Sequence, residues 1–381
     1  MKPPLIVFGE DWGGLPSSTQ HLIEHLAQAR KVIWVNSIGL RRPRLNRHDI
    51  LRAWHKLWPR KASSPQQHLK SSLPASDNFF LVNPLTLPAP RSRVARWLAT
   101  RLLLKQLRPL LRSQQITAPL LWISLPTAVD FIGHLEESAV IYYCGDDFSA
   151  LAGVDHDTVA AREEALVARA DLILCASQRL VAKFPCAPTR LLNHGVDLAL
   201  FAKPSPRALD LPDDGRPIAG FYGSISHWLN LDLLCTVIKQ LPEWHFIFIG
   251  KIVVDVSALA GLDNVRFLGE RPHRQLPSYC QHWNASLLPF IDNSQIRACN
   301  PLKLVEYLAC GRPIVTTNFP ALQAYRGLVQ IADQAPAMIE ALQASRQLHD
   351  LAGFSPATRQ TVADKDWASQ AQLTAQWLDA L

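Results

Sequence analysis

Short apolar runs, each closed by turn formers, recur along the whole chain. In the first half they read LIVFGE, KVIWVNS, FFLVNP, LLWISLP, VIYYCGDD, DLILCAS and TRLLNHG. Several intervals, notably 17–29, 91–112 and 157–170, carry apolar residues at three- and four-residue steps and read as helices. Near-continuous apolar strands alternating with helices predict a parallel sheet covered on both faces. FAKPSPRALDLPDDGRP, residues 201–217, breaks the pattern with Pro and Asp and reads as a linker. The alternation then restarts with PIAGFYGS, HFIFIGK, VRFLGE, ASLLPF and PIVTT. The expected class is α/β, with two Rossmann-like, doubly wound parallel-sheet domains at 1–204 and 205–357. A terminal helix, 358–381, is expected to cross back to the first domain.

One stretch packs several signals together: NPLKLVEYLACGRPIVTT, residues 300–317. Asn300 suits an N-cap and Pro301 a first helical turn. Leu302, Val305, Leu308 and Ala309 share an apolar face, Gly311 fits a left-handed C-terminal position, and Pro313 stops the helix. Lys303 and Glu306, three apart, are neighbours on the other face. The plain reading is a solvated ion pair, but a helix N-terminus beside it favours an anion. The two halves also open alike. LIVFGEDWGG offers Gly13 and Gly14 at a strand-to-helix turn, and IAGFYGSISHWLN offers Gly220 and Gly223. Neither is GxGxxG, which disfavours a dinucleotide-dependent dehydrogenase. Ligands of such sheets bind beyond the carboxyl ends of the strands, which groups both openings and the helix at 301 around a central cleft.

Composition narrows the class. With 381 residues and 48% hydrophobic content the chain can bury two cores. It has no apolar run near eighteen residues, and its first apolar run is too short for a signal peptide. Seven cysteines without ligand spacing read as reduced core residues of a cytoplasmic protein, with no metal expected. Residues 41–112 hold sixteen Lys/Arg against Asp49 and Asp77, a net of +14, so the remaining chain carries −7 of the overall +7. Two segments of that block, 45–61 and 91–112, read as basic amphipathic helices. The second groups Val94, Trp97, Leu98, Arg101 and Leu102. Basic helices with tryptophan on the apolar face suit an anionic membrane surface, placing the chain on the inner face of the membrane as a peripheral protein. A nucleic-acid partner is disfavoured, because no recognition motif or aromatic stacking platform accompanies the charge.

In this order the residues resemble the GT-B glycosyltransferases of the retaining group 1/family 4 type over nearly the whole chain. The motifs that carry the likeness are YYCGDDFSAL, ADLILCASQRL, NHGVD at 193–197 and the 300–317 stretch. It is closest to bacterial enzymes of surface-polysaccharide assembly, including the teichuronic-acid and exopolysaccharide kinds. The resemblance implies a nucleotide-sugar donor on the second domain and no metal or other cofactor. In that family the second Glu of a Glu-x7-Glu motif meets the donor ribose hydroxyls, and Glu306 stands at that position. A carboxylate accepting hydroxyl hydrogen bonds suits a sugar edge. The first Glu would fall at Ala298, so Asp292 or Asn293 is expected to supply the polar partner. The family's diphosphate-binding Arg and Lys are missing from YGSISHWLN. The phosphates are therefore assigned to the helix start at Asn300, Pro301 and Leu302 with Lys303 or Arg297, while Gly223 and Ser224 add backbone and hydroxyl contacts. Gly13 and Gly14 admit first-domain backbone to the transferred sugar, and His194 lines the cleft.

An Asp-x-Asp triplet, Asp155 and Asp157, precedes a helical pattern and reads as caps instead of a metal site. Asp146 and Asp147, at the exit of VIYYC, are the expected catalytic pair, bonding acceptor hydroxyls or serving as base. The reading is transfer of a hexose-type sugar, with retention, to a lipid-linked or polysaccharide acceptor. A catalytically inactive homologue serving as a binding subunit, kept open by Ala298, and a nucleotide-sugar epimerase are the alternatives.

Overall fold

A computed structural model describes residues 2–14, 17–37, 74, 76–86, 92–150, 155–352 and 356–381. The expected basic helix at 45–61 lies outside the described residues. The chain divides into two compact units, Met1–Leu192 with Gln370–Leu381, and Asn193–Ser369.

The first unit is built on seven strands: β1 (Leu5–Phe8), β2 (Val32–Val35), β3 (Phe79–Val82), β4 (Leu120–Ile123), β5 (Ala139–Cys144), β6 (Leu172–Cys175) and β7 (Thr189–Leu191). All pair parallel, in the order β3-β2-β1-β4-β5-β6-β7. Every residue of β1, β2, β4, β5 and β6 is buried, which is why their sequences are apolar without alternation. Strand order reverses between β1 and β4, so the β1 and β4 exits flank the switch point.

The second unit repeats the plan with β8 (Ile218–Tyr222), β9 (His245–Ile249), β10 (Val265–Gly269), β11 (Ala285–Leu288), β12 (Ile314–Thr316) and β13 (Gln330–Ile331). Its order is β10-β9-β8-β11-β12-β13, again all parallel. β13 was not expected, since two half-exposed residues give no periodic signal. The 201–217 stretch is no free linker, and the division falls at 192/193 instead of 204/205. Phe201 is in the core, and Gln281, fully buried, donates to the carbonyls of Phe201 (2.9 Å) and Lys203 (2.7 Å) and accepts from the Ser205 N–H (2.8 Å). These bonds satisfy backbone that would otherwise need water, so the proline-rich stretch is a strap on the second unit.

The helix Arg93–Ser113, capped by Ser92 onto the Ala95 N–H (3.1 Å), buries Ala99, Thr100, Leu103, Leu104, Leu107 and Leu111. The residues grouped from the sequence lie on the other side: Val94, Trp97, Leu98 and Leu102 are 74%, 57%, 43% and 40% exposed, with the Arg101 guanidinium 4.8 Å from the Trp97 ring centroid. The last helix, Trp367–Leu378, runs from the second unit into the segment that belongs to the first. In the first unit Asp379 pairs with Arg30 (2.8 Å) and Lys2 (3.3 Å).

Candidate functional site

The helix Leu302–Cys310 ends on Gly311, whose φ of +71° is the left-handed value expected of a C-terminal glycine. Its start differs from expectation. Pro301, not Asn300, occupies the cap position, and no side chain caps the first turn. Asn300 instead offers its backbone to the His194 ring. The helix therefore begins with N–H groups that no side chain satisfies.

Its interior differs more. Every residue from Leu304 to Cys310 is buried, so there is no solvated face for a Lys303–Glu306 pair. Glu306, with a side chain only 5% exposed, has Oε1 2.6 Å from His273 Nε2 and Oε2 accepting from the Tyr222 hydroxyl at 2.5 Å. Tyr222 comes from β8, and its N–H in turn donates to the Tyr307 hydroxyl (3.1 Å). A buried carboxylate needs such partners, and these two lie 84 and 33 residues away in sequence. Burial alone would lower the His273 pKa. The Glu306 hydrogen bond and charge, with the Asp197 charge, outweigh burial and raise it above the ordinary histidine value. His194 behaves oppositely. Burial pulls it down to about 4, against the smaller pull of the Asn300 backbone and Glu306, so it is neutral at neutral pH.

Lys303 makes no ion pair with Glu306 or with any other carboxylate among the described residues. Its ammonium lies 4.9 Å from the Phe221 ring centroid and 5.8 Å from that of Phe290. Burial holds its pKa below the usual lysine range, in spite of the nearby Glu306 charge. The Lys303 ammonium also abuts the exit of β8. A Cβ at Gly223 would stand 2.7 Å from Lys303 Nζ, and a Cβ at Gly250, after β9, would stand 2.1 Å from the Gly223 carbonyl oxygen. With φ of +128° and +140°, both positions require glycine. Half-buried Ser224 follows Gly223.

The other expected donor residues are committed elsewhere. Arg297 forms a bidentate pair with Asp292 (2.6 and 2.6 Å), both exposed. Asn293 caps the helix Ser294–Ala298 through the Ile296 N–H (2.8 Å), and Ala298 is buried at its end. Arg297, Asp292 and Asn293 thus satisfy one another's neighbourhood, and the structure does not bring them to Glu306.

In the first unit, Asp146 and Asp147 follow β5 and differ in surroundings. Asp147 Oδ1 takes the Lys183 ammonium (2.7 Å), the Ser149 hydroxyl (2.6 Å) and the Ser149 N–H (3.1 Å). Although burial opposes it, these bonds hold the Asp147 pKa below the usual range. Lys183 also pairs with buried Glu163 (2.8 Å), which accepts from Tyr142 (2.6 Å). Asp146 is exposed, and its carboxylate has no hydrogen-bond partner among the described residues. Gly13, at φ +78°, presents its N–H to Gln20 Oε1 (3.4 Å), and the Gly14 N–H turns back to the Asp11 carbonyl (3.2 Å). Among the described residues no group of three His, Cys, Asp or Glu side chains could hold a metal ion. Sequence reasoning missed Tyr222, His273, Glu163 and Lys183. Tyr222 stands in the IAGFYGSISHWLN opening but reads there as a strand residue, the other three stand in no motif, and only the burial of Glu306 would have demanded Tyr222 and His273.

Residues 216–345 match the family model for glycosyl transferases group 1. TuaH of Bacillus subtilis, named for teichuronic acid biosynthesis, is 28% identical over 221 residues, which are 53% of this chain and 56% of that protein. LpcC of Rhizobium leguminosarum bv. viciae, a lipopolysaccharide core biosynthesis mannosyltransferase, is 34% identical over 127 residues, 28% of this chain and 35% of that one. The chain thus spans about half or less of the length of these curated relatives. Among solved structures, a sucrose-phosphate synthase from Thermosynechococcus elongatus superposes with a TM-score of 0.69 at 17% identity, covering 100% of both chains. HepE of Anabaena, solved with UDP and glucose, gives 0.67 at 12% identity, again over 100% of both. The chain has the GT-B fold, and within its second unit residues 216–345 are similar to the group 1 glycosyl transferases.

Proposed function

We propose that this GT-B protein transfers a hexose-type sugar from a nucleoside diphosphate donor to a lipid-linked or polysaccharide acceptor during cell-surface polysaccharide assembly, with retention. The single observation that carries the reading is Lys303. A half-buried ammonium with no carboxylate partner among the described residues, beside two glycine-lined strand exits and an uncapped helix start, suits a diphosphate that arrives with the ligand. In this reading Lys303 and the backbone of the Asn300–Leu302 helix start offset the charge that develops on the leaving diphosphate. Proline has no N–H of its own, so Asn300 and Leu302 supply the donors. Gly223 and Ser224 add backbone and hydroxyl contacts, and Glu306 meets the ribose edge through its remaining lone pairs. Asp146, whose carboxylate has no hydrogen-bond partner among the described residues, is assigned to the acceptor hydroxyl, and Asp147 holds the turn that presents it. UDP in HepE and the biosynthetic names of TuaH and LpcC support the donor and acceptor classes.

The exposed strip Val94, Trp97, Leu98 and Leu102, on a helix bearing six basic and no acidic residues from Arg93 to Arg112, supports docking on an anionic bilayer. No helix among the described residues is long and apolar enough to cross one. Ala298, in place of a family carboxylate, favours the second reading of a binding subunit without turnover.

The test is a thermal-shift panel with UDP, GDP, ADP, dTDP and CMP on wild type and Lys303→Met. A ligand at a hundred times its Kd stabilises by about 2.7 kcal/mol, a shift of several degrees. Stabilisation by one diphosphate that the variant loses is expected. No shift with any nucleotide overturns the assignment.

A further inference from the structure

Three ionisable side chains meet around the Leu302–Cys310 helix. Lys303 and Glu306 sit one turn apart, and His273, from the loop after β10, closes on Glu306 Oε1 at 2.6 Å. Its ring packs on Phe201 at 5.2 Å, so the imidazole is held in place from behind. His273 is 20% exposed and Glu306 5%, so the side chain that solvent or a ligand meets is the histidine.

Glu306 comes from the 302–310 helix and Asp197 from the cap of the helix Leu198–Phe201. Tyr222 of β8 sits on the other Glu306 oxygen, and His194, neutral at neutral pH, and Lys303 lie within reach of the Glu306 charge. Glu306 and Asp197 together carry −2. Lys303 supplies +1, and a charged His273 brings the sum to zero. A neutral His273 leaves −1 facing any anion at Lys303.

We propose that His273 is a positioning residue whose proton sets the anion affinity of this site: as imidazolium it offsets Glu306, so that a diphosphate at Lys303 meets no net negative charge. The inference rests on the reading that a nucleoside diphosphate binds at Lys303. Binding then takes up protons wherever free His273 is partly neutral, because the incoming anion raises the affinity of the imidazole for its proton. Affinity falls as pH rises through the His273 titration, by roughly tenfold for one unit of charge close to a diphosphate. Glutamine at 273 retains a donor for Glu306 but no titrating charge, and lysine retains the charge at all relevant pH.

The experiment is calorimetric titration of UDP and, separately, GDP into wild type, His273→Gln and His273→Lys from pH 6.5 to 9, in two buffers of different ionisation enthalpy. The free nucleotide's β-phosphate titrates alike whichever protein is present, and Lys303 is retained in all three proteins. Comparison across variants therefore isolates position 273. Wild type should take up protons and lose roughly tenfold more affinity across the range than His273→Gln. His273→Lys should hold the low-pH affinity to pH 9. Equal pH profiles and equal proton uptake in wild type and His273→Gln overturn the inference while leaving the diphosphate site intact. Absence of binding by UDP and GDP at every pH, together with no thermal shift for any nucleotide of the panel, overturns the site itself, and the inference with it.

Discussion

Replacing Tyr222 with phenylalanine deletes one oxygen from the centre of the second unit and little else. The ring keeps its packing on Tyr307 (4.8 Å) and Trp283 (6.3 Å), so no cavity of consequence opens. What is lost is a 2.5 Å hydrogen bond from a buried hydroxyl to Glu306, a carboxylate that solvent barely reaches. Net contributions of hydrogen bonds to charged groups are about 1.5–3 kcal/mol, and removal also leaves an acceptor lone pair dry. His273 remains on the other oxygen, which favours the middle of that range, about 2 kcal/mol. For a unit of about 180 residues each kcal/mol moves Tm by roughly 2–4 °C, giving a drop of about 4–8 °C in its transition. Differential scanning calorimetry would read it, together with a cycle in the Glu306→Gln background. There the acceptor is neutral, and Tyr222→Phe should cost about 1 kcal/mol less. A drop below 1 °C, or an equal cost in both backgrounds, would refute the claim that a charged, enclosed carboxylate organises this core.

Gly250→Ala puts a Cβ 2.1 Å from the Gly223 oxygen at a φ of +140°, and should cost about 3 kcal/mol or more in urea unfolding; a loss under 1 kcal/mol would contradict the tight strand exits. His194, held neutral down to about 4 against 6.5 when unfolded, contributes stability that is present above 6.5 and lost as pH falls toward 4. His273, with its raised pKa, works in the opposite sense: its contribution is full below the unfolded value and lost as pH rises through the folded one. Melting between pH 4 and 7 in a His273→Gln background should therefore fall with acid, and a further His194→Gln change should flatten the curve. In vesicle sedimentation, Trp97→Ser with Leu98→Ser should weaken binding to phosphatidylglycerol-containing vesicles by about tenfold or more and leave the melting temperature unchanged. Equal sedimentation of variant and wild type would remove the docking strip.

Both sheets were legible because each fully buried strand has to be apolar on two faces. Runs such as LIVF and VIWV therefore announce themselves without context. The helix at 302–310 was legible for the same local reasons, down to Gly311. Its polar side was not. Helical spacing places Lys303 and Glu306 side by side and says nothing of Tyr222, eighty-four residues upstream, or of His273 in the irregular ERPHRQL loop. Arg297 illustrates the reverse error. It is a cation at a promising address, yet Asp292, five residues earlier, already takes both arms of its guanidinium. Likewise the proline-rich 201–217 stretch reads as a tether until Gln281 is seen holding its carbonyls.

That Glu306 already serves two donors from the protein bears on how strictly a nucleotide bound as proposed would be chosen. Discrimination by four or five orders of magnitude arises when an analogue strands a buried polar atom with nothing to bond. A carboxylate satisfied beforehand by a tyrosine and a histidine leaves nothing stranded when one ribose hydroxyl is missing. Deoxynucleoside diphosphates should therefore compete with their ribose counterparts to within about tenfold. Fidelity for the donor would have to come from the base and the sugar, with the pentose between them read only lightly.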